Sequence, residues 1–217
     1  MTPRSWLISP ALSDYVLAHT EAPDEVMAAL IAETASMAEV SMQIAPDQAA
    51  FMTLLARSVN ARRAIEIGTF TGLSALAVAR ALPEDGSLLC CDLSSEWTSV
   101  GRRYWERAGV SDRIELRIGP AAQTLDVLPE EATYDFAFVD ANKTGYAAYV
   151  AALYPRMQAN GLVLLDNTLR GGRVLGGSDI SADDEAIIVL NDELIADSRW
   201  ETVLLPIADG LTLLRKR

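Results

Sequence analysis

Histidine is almost missing from this chain. The single one, His19, lies in a polar N-terminal stretch with no second imidazole near it, which leaves no material for a His-based triad or a zinc site. Cysteine is nearly as scarce, and the two that occur, Cys90 and Cys91, are adjacent and supply no disulfide framework. They fall in an apolar run that reads as a strand, so one should face each side of a sheet as a small buried hydrophobe. Basic residues are outnumbered, 18 Lys and Arg against 30 Asp and Glu for a net charge of -12, and they form no cluster suited to a phosphate backbone. A nucleic-acid partner is therefore not expected, and the acidity reads as an aid to solubility. The longest apolar runs, such as residues 162–165, fall far short of a bilayer span, and the opening MTPRSW shows no basic segment followed by an apolar signal core. No membrane partner is expected, and a soluble cytoplasmic protein is.

What is present is 217 residues, 50% of them hydrophobic, enough to bury one substantial core. The expectation is a single domain, 1–217, in which N-terminal helices within 1–60 cover or flank a site built on a core spanning 61–217. Apolar residues at three- and four-residue spacing predict helices over 10–19, 24–42 and 46–59, punctuated by Pro23 and Pro46. From Arg63 onward short apolar runs at 64–67, 87–92, 114–118, 134–140 and 162–166 alternate with helical patterns at 72–82, 94–108, 121–128 and 144–157, the signature of a parallel sheet with helices on both faces. A Gly-rich loop at 171–178 leads to a helix at about 183–197. Two closing runs, 202–206 and 211–215, are joined by Ala208-Asp209-Gly210 and must form an antiparallel hairpin. This α/β layout, mostly parallel strands ending in a C-terminal hairpin, resembles that of the Rossmann-like class I methyltransferases.

The first run passes into a helix through Glu66-Ile67-Gly68-Thr69-Phe70-Thr71-Gly72. A glycine-containing turn of this kind lets a ligand approach the backbone beside helix N-terminal N–H groups. Asp92, at the next strand end, is placed to accept from ribose hydroxyls. Gly68 and Gly72 are four apart with Phe70 between them, and a pyrophosphate would meet bulk and the carboxylate of Glu66. A ligand with an ammonium group and no phosphate suits the turn, which describes S-adenosylmethionine.

Two further strands end on carboxylates, Asp140 and Asp166, the second followed by Asn167. A helix joins them, so they should be parallel neighbours with both acids on one edge, where open α/β sheets bind ligands. Two carboxylates and a carboxamide, with no His or Cys, form a hard oxygen set that favours Mg²⁺, with Ca²⁺ or Mn²⁺ as alternatives, over zinc or copper. The plainer reading, a turn at Asp166 and Asn167 and a helix cap at Asp140, accounts for each residue alone but not for the joint pattern. Lys143 lies three residues beyond Asp140, and beside a dication its ammonium form is disfavoured, which suits it to act as a general base. These parts describe chelation of two vicinal oxygens, proton transfer to Lys143 and in-line attack on a sulfonium methyl. Rival readings are a metal-independent methyltransferase of the same fold, a nicotinamide-dependent oxidoreductase, disfavoured by the missing glycine, and a non-catalytic nucleoside binder.

The motifs resemble those of the cation-dependent O-methyltransferases, the group that includes caffeoyl-CoA O-methyltransferase and, more distantly, catechol O-methyltransferase. The resemblance runs from about Met42 to the C-terminus. It rests on Pro46-Asp47-Gln48, the turn from Glu66 to Ser74, Pro83-Glu84-Asp85-Gly86, Gly119-Pro120-Ala121, Phe138-Val139-Asp140-Ala141-Asn142-Lys143, Asp166-Asn167-Thr168-Leu169 and Asp209-Gly210-Leu211. It implies that Met42 and Ile44 border the methionine part of the cofactor, that Glu66, Gly68, Thr69, Phe70 and Ser74 hold its amino-acid end, and that Asp92 and Ala121 meet ribose and adenine. Asp140 then serves both cofactor and metal, with Asp166 and Asn167 as the other metal ligands, Lys143 as catalytic residue, and a homodimer as the assembly. Asn142 stands where the family commonly has a second Asp. Arg170-Gly171 replace the Trp-Asn usual in enzymes acting on caffeoyl-CoA, and the segment before the last helix is shorter, which argues for a small catechol-like substrate without a coenzyme A tail. Arg170 itself reads as an exposed loop residue, with a substrate carboxylate as its alternative partner, and Trp6, Trp97, Trp105 and Trp200 read as packing residues.

Overall fold

The computed structural model describes residues 7–217; Trp6 lies outside them. Among the described residues, the chain opens with α1 (Pro10–Ala18), α2 (Glu25–Thr34) and α3 (Pro46–Ser58). It then alternates β1 (Arg63–Ile67), α4 (Leu73–Ala81), β2 (Ser87–Asp92), α5 (Ser95–Arg107), β3 (Ile114–Ile118), α6 (Ala121–Val127), β4 (Tyr134–Val139), α7 (Tyr146–Leu153) and β5 (Met157–Asp166). It ends with α8 (Ala182–Ala196), β6 (Trp200–Leu205) and β7 (Leu211–Lys216). Helix starts follow capping chemistry: the side chains of Ser9, Asp24, Ser94 and Ser181 each accept an N–H of the first turn, and Ser181 with Asp184 completes a capping box.

The seven strands lie in the order β3-β2-β1-β4-β5-β7-β6. The first five pair in parallel, and β7 runs antiparallel to both β5 and β6. This is the class I methyltransferase sheet that the alternating runs predict. Strand order reverses direction about β1, so the edge where β1 and β4 finish is a topological switch point that leaves a cleft. Side-chain alternation divides the core: Ala64, Cys90, Phe136, Phe138 and Leu164 pack beneath α3, α4 and α5, while Ile65, Cys91, Val139 and Leu165 pack beneath α6, α7 and α8. Cys90 and Cys91 thus face opposite sides as free buried thiols. No helix among the described residues is long and apolar enough to cross a membrane.

Two expected helices are shorter than their apolar spacing predicts. The 24–42 pattern stops at Thr34, whose buried hydroxyl donates to Thr71 Oγ1 at 2.9 Å in the turn after β1. Ser36 Oγ bonds back to the Glu33 carbonyl at 2.7 Å, and the chain resumes as a short 3₁₀ turn, Val40–Met42. That break sends residues 40–45 across the cleft. The 144–157 pattern likewise reduces to α7 flanked by 3₁₀ turns at Lys143–Gly145 and Tyr154–Arg156, and β5 begins at Met157 rather than at residue 162. Pairing skips from Tyr134↔Met157 to Phe136↔Leu162, an irregularity that absorbs the extra residues.

Candidate active site

The cleft at the switch point encloses about 1060 Å³, and its wall includes Met42, Ile44, Gly68, Thr69, Phe70, Ser74, Asp92, Ala121, Asp140, Lys143, Asp166 and Asn167. Every candidate residue singled out in the sequence therefore converges there except Glu66. The alternation of β1 turns Glu66 to the face under α3 and α4, opposite Cys90 in register and fully buried behind the turn.

The turn itself is built by the protein packing on itself. Gly68 has φ +91°, and a Cβ there would lie 2.0 Å from the Asp140 carbonyl oxygen, because Asp140 N already bonds Ile67 O at 2.8 Å where β1 and β4 meet. Gly72 has φ +79°, and a Cβ there would strike the indole of Trp105, whose Nε1 donates to Gly72 O at 3.1 Å. Both glycines are demanded by close approach of protein to protein, a packing cause that the sequence does not show. Between them, the N–H groups of Thr69 and Phe70 each donate to Asp92 Oδ2 at 2.8 Å, and Ser94 N donates to Oδ1 at 2.7 Å. Asp92 thus shapes the turn, and Oδ1 retains capacity for one further donor.

Glu66 is energetically exposed by its burial. Desolvation pushes its carboxyl up to about 8, against a partial pull from the Ser74 hydroxyl. Oε2 has no hydrogen-bond partner among the described residues. An orphaned carboxylate oxygen beside this turn fits a ligand carrying a positive group.

At the ends of β4 and β5 the charges form one cluster. Lys143 Nζ donates to Asp140 Oδ1 at 2.9 Å and to the Tyr146 hydroxyl at 2.7 Å. Asp166 is buried, accepts from Gln48 Nε2 at 3.0 Å and from its neighbour Asn167 N at 2.6 Å, and is raised by burial and then by the negative charge of Asp140. Asn167 takes φ +56° at the strand end, which asparagine tolerates better than most residues. Asp140 caps no helix; the short turn that follows is preceded by Asn142. Among the described residues no three His, Cys, Asp or Glu side chains form a metal-holding group. The set here is two carboxylates and a carboxamide, in which the repulsion that raises Asp166 is what a cation relieves.

The family pattern described as O-methyltransferase matches residues 18–217. The chain belongs to that O-methyltransferase family. Caffeoyl-CoA O-methyltransferase of Eucalyptus gunnii is 38% identical over 224 residues, covering 98% of this chain and 90% of that one. Among solved structures, the SAH-bound methyltransferase of Podospora anserina superposes with a TM-score of 0.87 at 27% identity, covering 100% of this chain and 98% of that one. TomG of Streptomyces achromogenes, an O-methyltransferase involved in tomaymycin synthesis and solved with SAM, gives 0.84 at 26% identity over 95% and 96% of the two chains. The chain is an enzyme of this type, and the nicotinamide and non-catalytic readings fall away.

Several O-methyltransferase site residues escape sequence reasoning. Gln48 reaches Asp166 across a separation of 118 residues, and only its place in a motif marks it. Tyr146 stands one helical turn beyond Lys143, so i,i+3 spacing was the available signal. Trp97 lines the cleft and packs edge-on against Phe70 at 5.3 Å, so it is more than a core residue, whereas Trp105 and Trp200 are buried as expected. The hairpin turn adds Ala208 and Asp209 to the wall, and Asp209 Oδ1 accepts from Gly171 N at 2.6 Å. Arg170 is half-buried rather than an exposed loop residue: its Nε donates to the buried Asp184 at 2.8 Å, beside Arg173 at 2.9 Å. Asn142 accepts from the Tyr149 hydroxyl at 2.7 Å.

Proposed function

We propose that this enzyme methylates one hydroxyl of a small vicinal dihydroxy aromatic, using S-adenosylmethionine and a divalent cation, Mg²⁺ in first place. The observation that carries the reading is the pair of half-buried Asp140 and buried Lys143 beside a buried carboxylate, Asp166, in the wall of one cleft. Met42, Ile44, Gly68, Thr69, Phe70, Ser74, Asp92 and Ala121 would hold S-adenosylmethionine, with Glu66 opposite its ammonium group. Bound there, it supplies a sulfonium methyl to an oxygen nucleophile and departs as the thioether. Asp140, Asp166 and Asn167 would hold the cation, which supplies polarisation of a hydroxyl so that its proton is lost more easily. Lys143 Nζ accepts that proton, and the oxygen lone pair so exposed forms the new bond to carbon. The cleft walls orient the two reactants and exclude water.

Lys143 is the sole cationic side chain among the described residues of the cleft wall, and Arg170 is tied to Asp184. A coenzyme A tail needs cations for its phosphates, so a free catechol suits this cleft better than a thioester. From the N-terminal part of the chain, residues 40–45 and Gln48 of α3 line the cleft, and a homodimer, testable by sedimentation, accords with the resemblance.

The test is methyl transfer from S-adenosylmethionine to a panel of catechols, ortho-aminophenols and caffeoyl-CoA, with and without a chelator. Expected is turnover of free catechols at least about tenfold above the thioester in kcat/KM, lost on chelation and restored by Mg²⁺. Undiminished turnover in chelator would leave the metal-independent methyltransferase as the correct reading. That alternative draws on the bond by which Lys143 already neutralises Asp140.

A further inference from the structure

Beneath Lys143 lies a side chain that no step above employs. Tyr146, at the start of α7, is 0% exposed, and its hydroxyl sits where three parts of the site meet. Lys143 Nζ is 2.7 Å from it, the Val139 carbonyl oxygen 3.0 Å, and the Asp166 carbonyl oxygen 3.1 Å. Those two carbonyls belong to the ends of β4 and β5, the strands that deliver the two acids.

The direction of each bond follows from the inventory of hydrogens. A phenol has one hydrogen and carbonyl oxygens only accept, so that hydrogen is shared between Val139 O and Asp166 O. The phenolic oxygen therefore faces Lys143 purely as an acceptor, and Nζ must be the donor. Nζ has three substituent directions beyond its carbon. One is committed to Asp140 Oδ1 at 2.9 Å and one to Tyr146, which leaves a single direction on a residue that lines the cleft.

We propose that Tyr146 is a positioning residue for methyl transfer, its hydroxyl and Asp140 together fixing two directions of Lys143 Nζ so that the third meets the substrate hydroxyl. This rests on the reading of Lys143 as the proton acceptor. The bland alternative is that Tyr146 merely braces β4 against β5 and influences the whole site alike.

The two separate by substrate acidity. Tyr146→Phe keeps the ring and removes the hydroxyl, and it is assayed at about pH 8 with catechol and with 4-nitrocatechol, whose more acidic hydroxyl is largely ionised there and has no proton to give. Both rates come from one preparation, so any loss of folded enzyme cancels in their ratio. A positioning role predicts that kcat falls about 10- to 100-fold on catechol, less than about threefold on 4-nitrocatechol, with both KM values within about twofold of wild type. An equal loss on both substrates, or no loss on either, overturns the proposal. Lys143→Met serves as the reference and should show the same selective loss. If Lys143→Met keeps full turnover on both substrates, the base assignment fails and the proposal with it. If Lys143→Met is selective and Tyr146→Phe is not, the positioning role alone fails.

Discussion

The two edges of the sheet carry similar residue types and use them in opposite ways. Where β1, β4 and β5 finish, Lys143 pairs with Asp140 at side-chain exposures of 8% and 18%, above a cleft of about 1060 Å³. Where β1 and β4 begin, Arg62 pairs with Asp85 at 57% and 70%, near a smaller hollow of about 400 Å³ that includes Arg63, Asp135 and Gln158. The exposed pair is screened and contributes about 0–1 kcal/mol. The buried cluster is expensive to desolvate, and the cost is visible in the raised carboxyls of Glu66 and Asp166. Burial and the repulsion between Asp140 and Asp166 at the first edge are what a cationic ligand would relieve, whereas the charges at the second edge are already solvated.

That contrast is most strongly tested at Asp166. Asp166→Asn keeps the shape and one of the two hydrogen bonds the carboxylate accepts, from Gln48 or from Asn167 N, while removing the charge that repels Asp140. Turnover should fall by about 10³-fold or more, with weaker Mn²⁺ binding in titration, while the ligand-free protein melts at a higher temperature than wild type. Lower Tm together with intact turnover would erase the distinction between the edges.

Glu66 offers a smaller effect with a defined pH signature. Its carboxyl is raised from 4.5 to about 8, so between those values the folded chain holds a proton that the unfolded chain has released. The stabilisation is complete below pH 4.5 and is lost as pH rises through about 8, at a slope of no more than about 1.4 kcal/mol per pH unit. Glu66→Gln should flatten the fall in Tm of the ligand-free protein from pH 5 to 8 and weaken S-adenosylmethionine binding by about tenfold. Identical pH slopes in the two proteins would show that Glu66 is not the group responsible.

How much of this was legible in the sequence follows from the physics of each feature. The parallel strands, the shared edge of Asp140 and Asp166 and the opposite facing of Cys90 and Cys91 all follow from strand periodicity, which is local. The early end of α2 has no local signal: residues 24–45 contain no Gly or Pro, and the last helical residue, Thr34, is tied to Thr71 across 37 positions. The demand for Gly68 and Gly72 was legible, but its cause was not, since Asp140 and Trp105 reach them only through the tertiary fold. Arg170 illustrates the same limit, because a loop arginine becomes the partner of a buried acid only when α8 brings Asp184 to it. Tyr146 was the nearest miss. It shares a helical face with Lys143, yet nothing local says that its hydroxyl will find the ends of two strands.

The smallest effect belongs to the opposite edge and is the control for all the others. Asp135 accepts the backbone N–H groups of Arg62, at 3.0 and 2.9 Å, and of Arg63, at 3.2 Å, so it closes the start of β1 against the start of β4. Its burial raises the carboxyl and these amides pull it back, the same opposition that acts on Asp166 but resolved by the protein's own backbone. Asp135→Ala should cost about 1–2 kcal/mol by leaving two amides to water, with kcat, both KM values and cation affinity unchanged. Chemical denaturation and steady-state assays on one preparation measure both sides. If kcat falls as far as stability does, the two edges are mechanically coupled through β1 and β4, and the charge at the active edge is held by the whole strand rather than by its final residues.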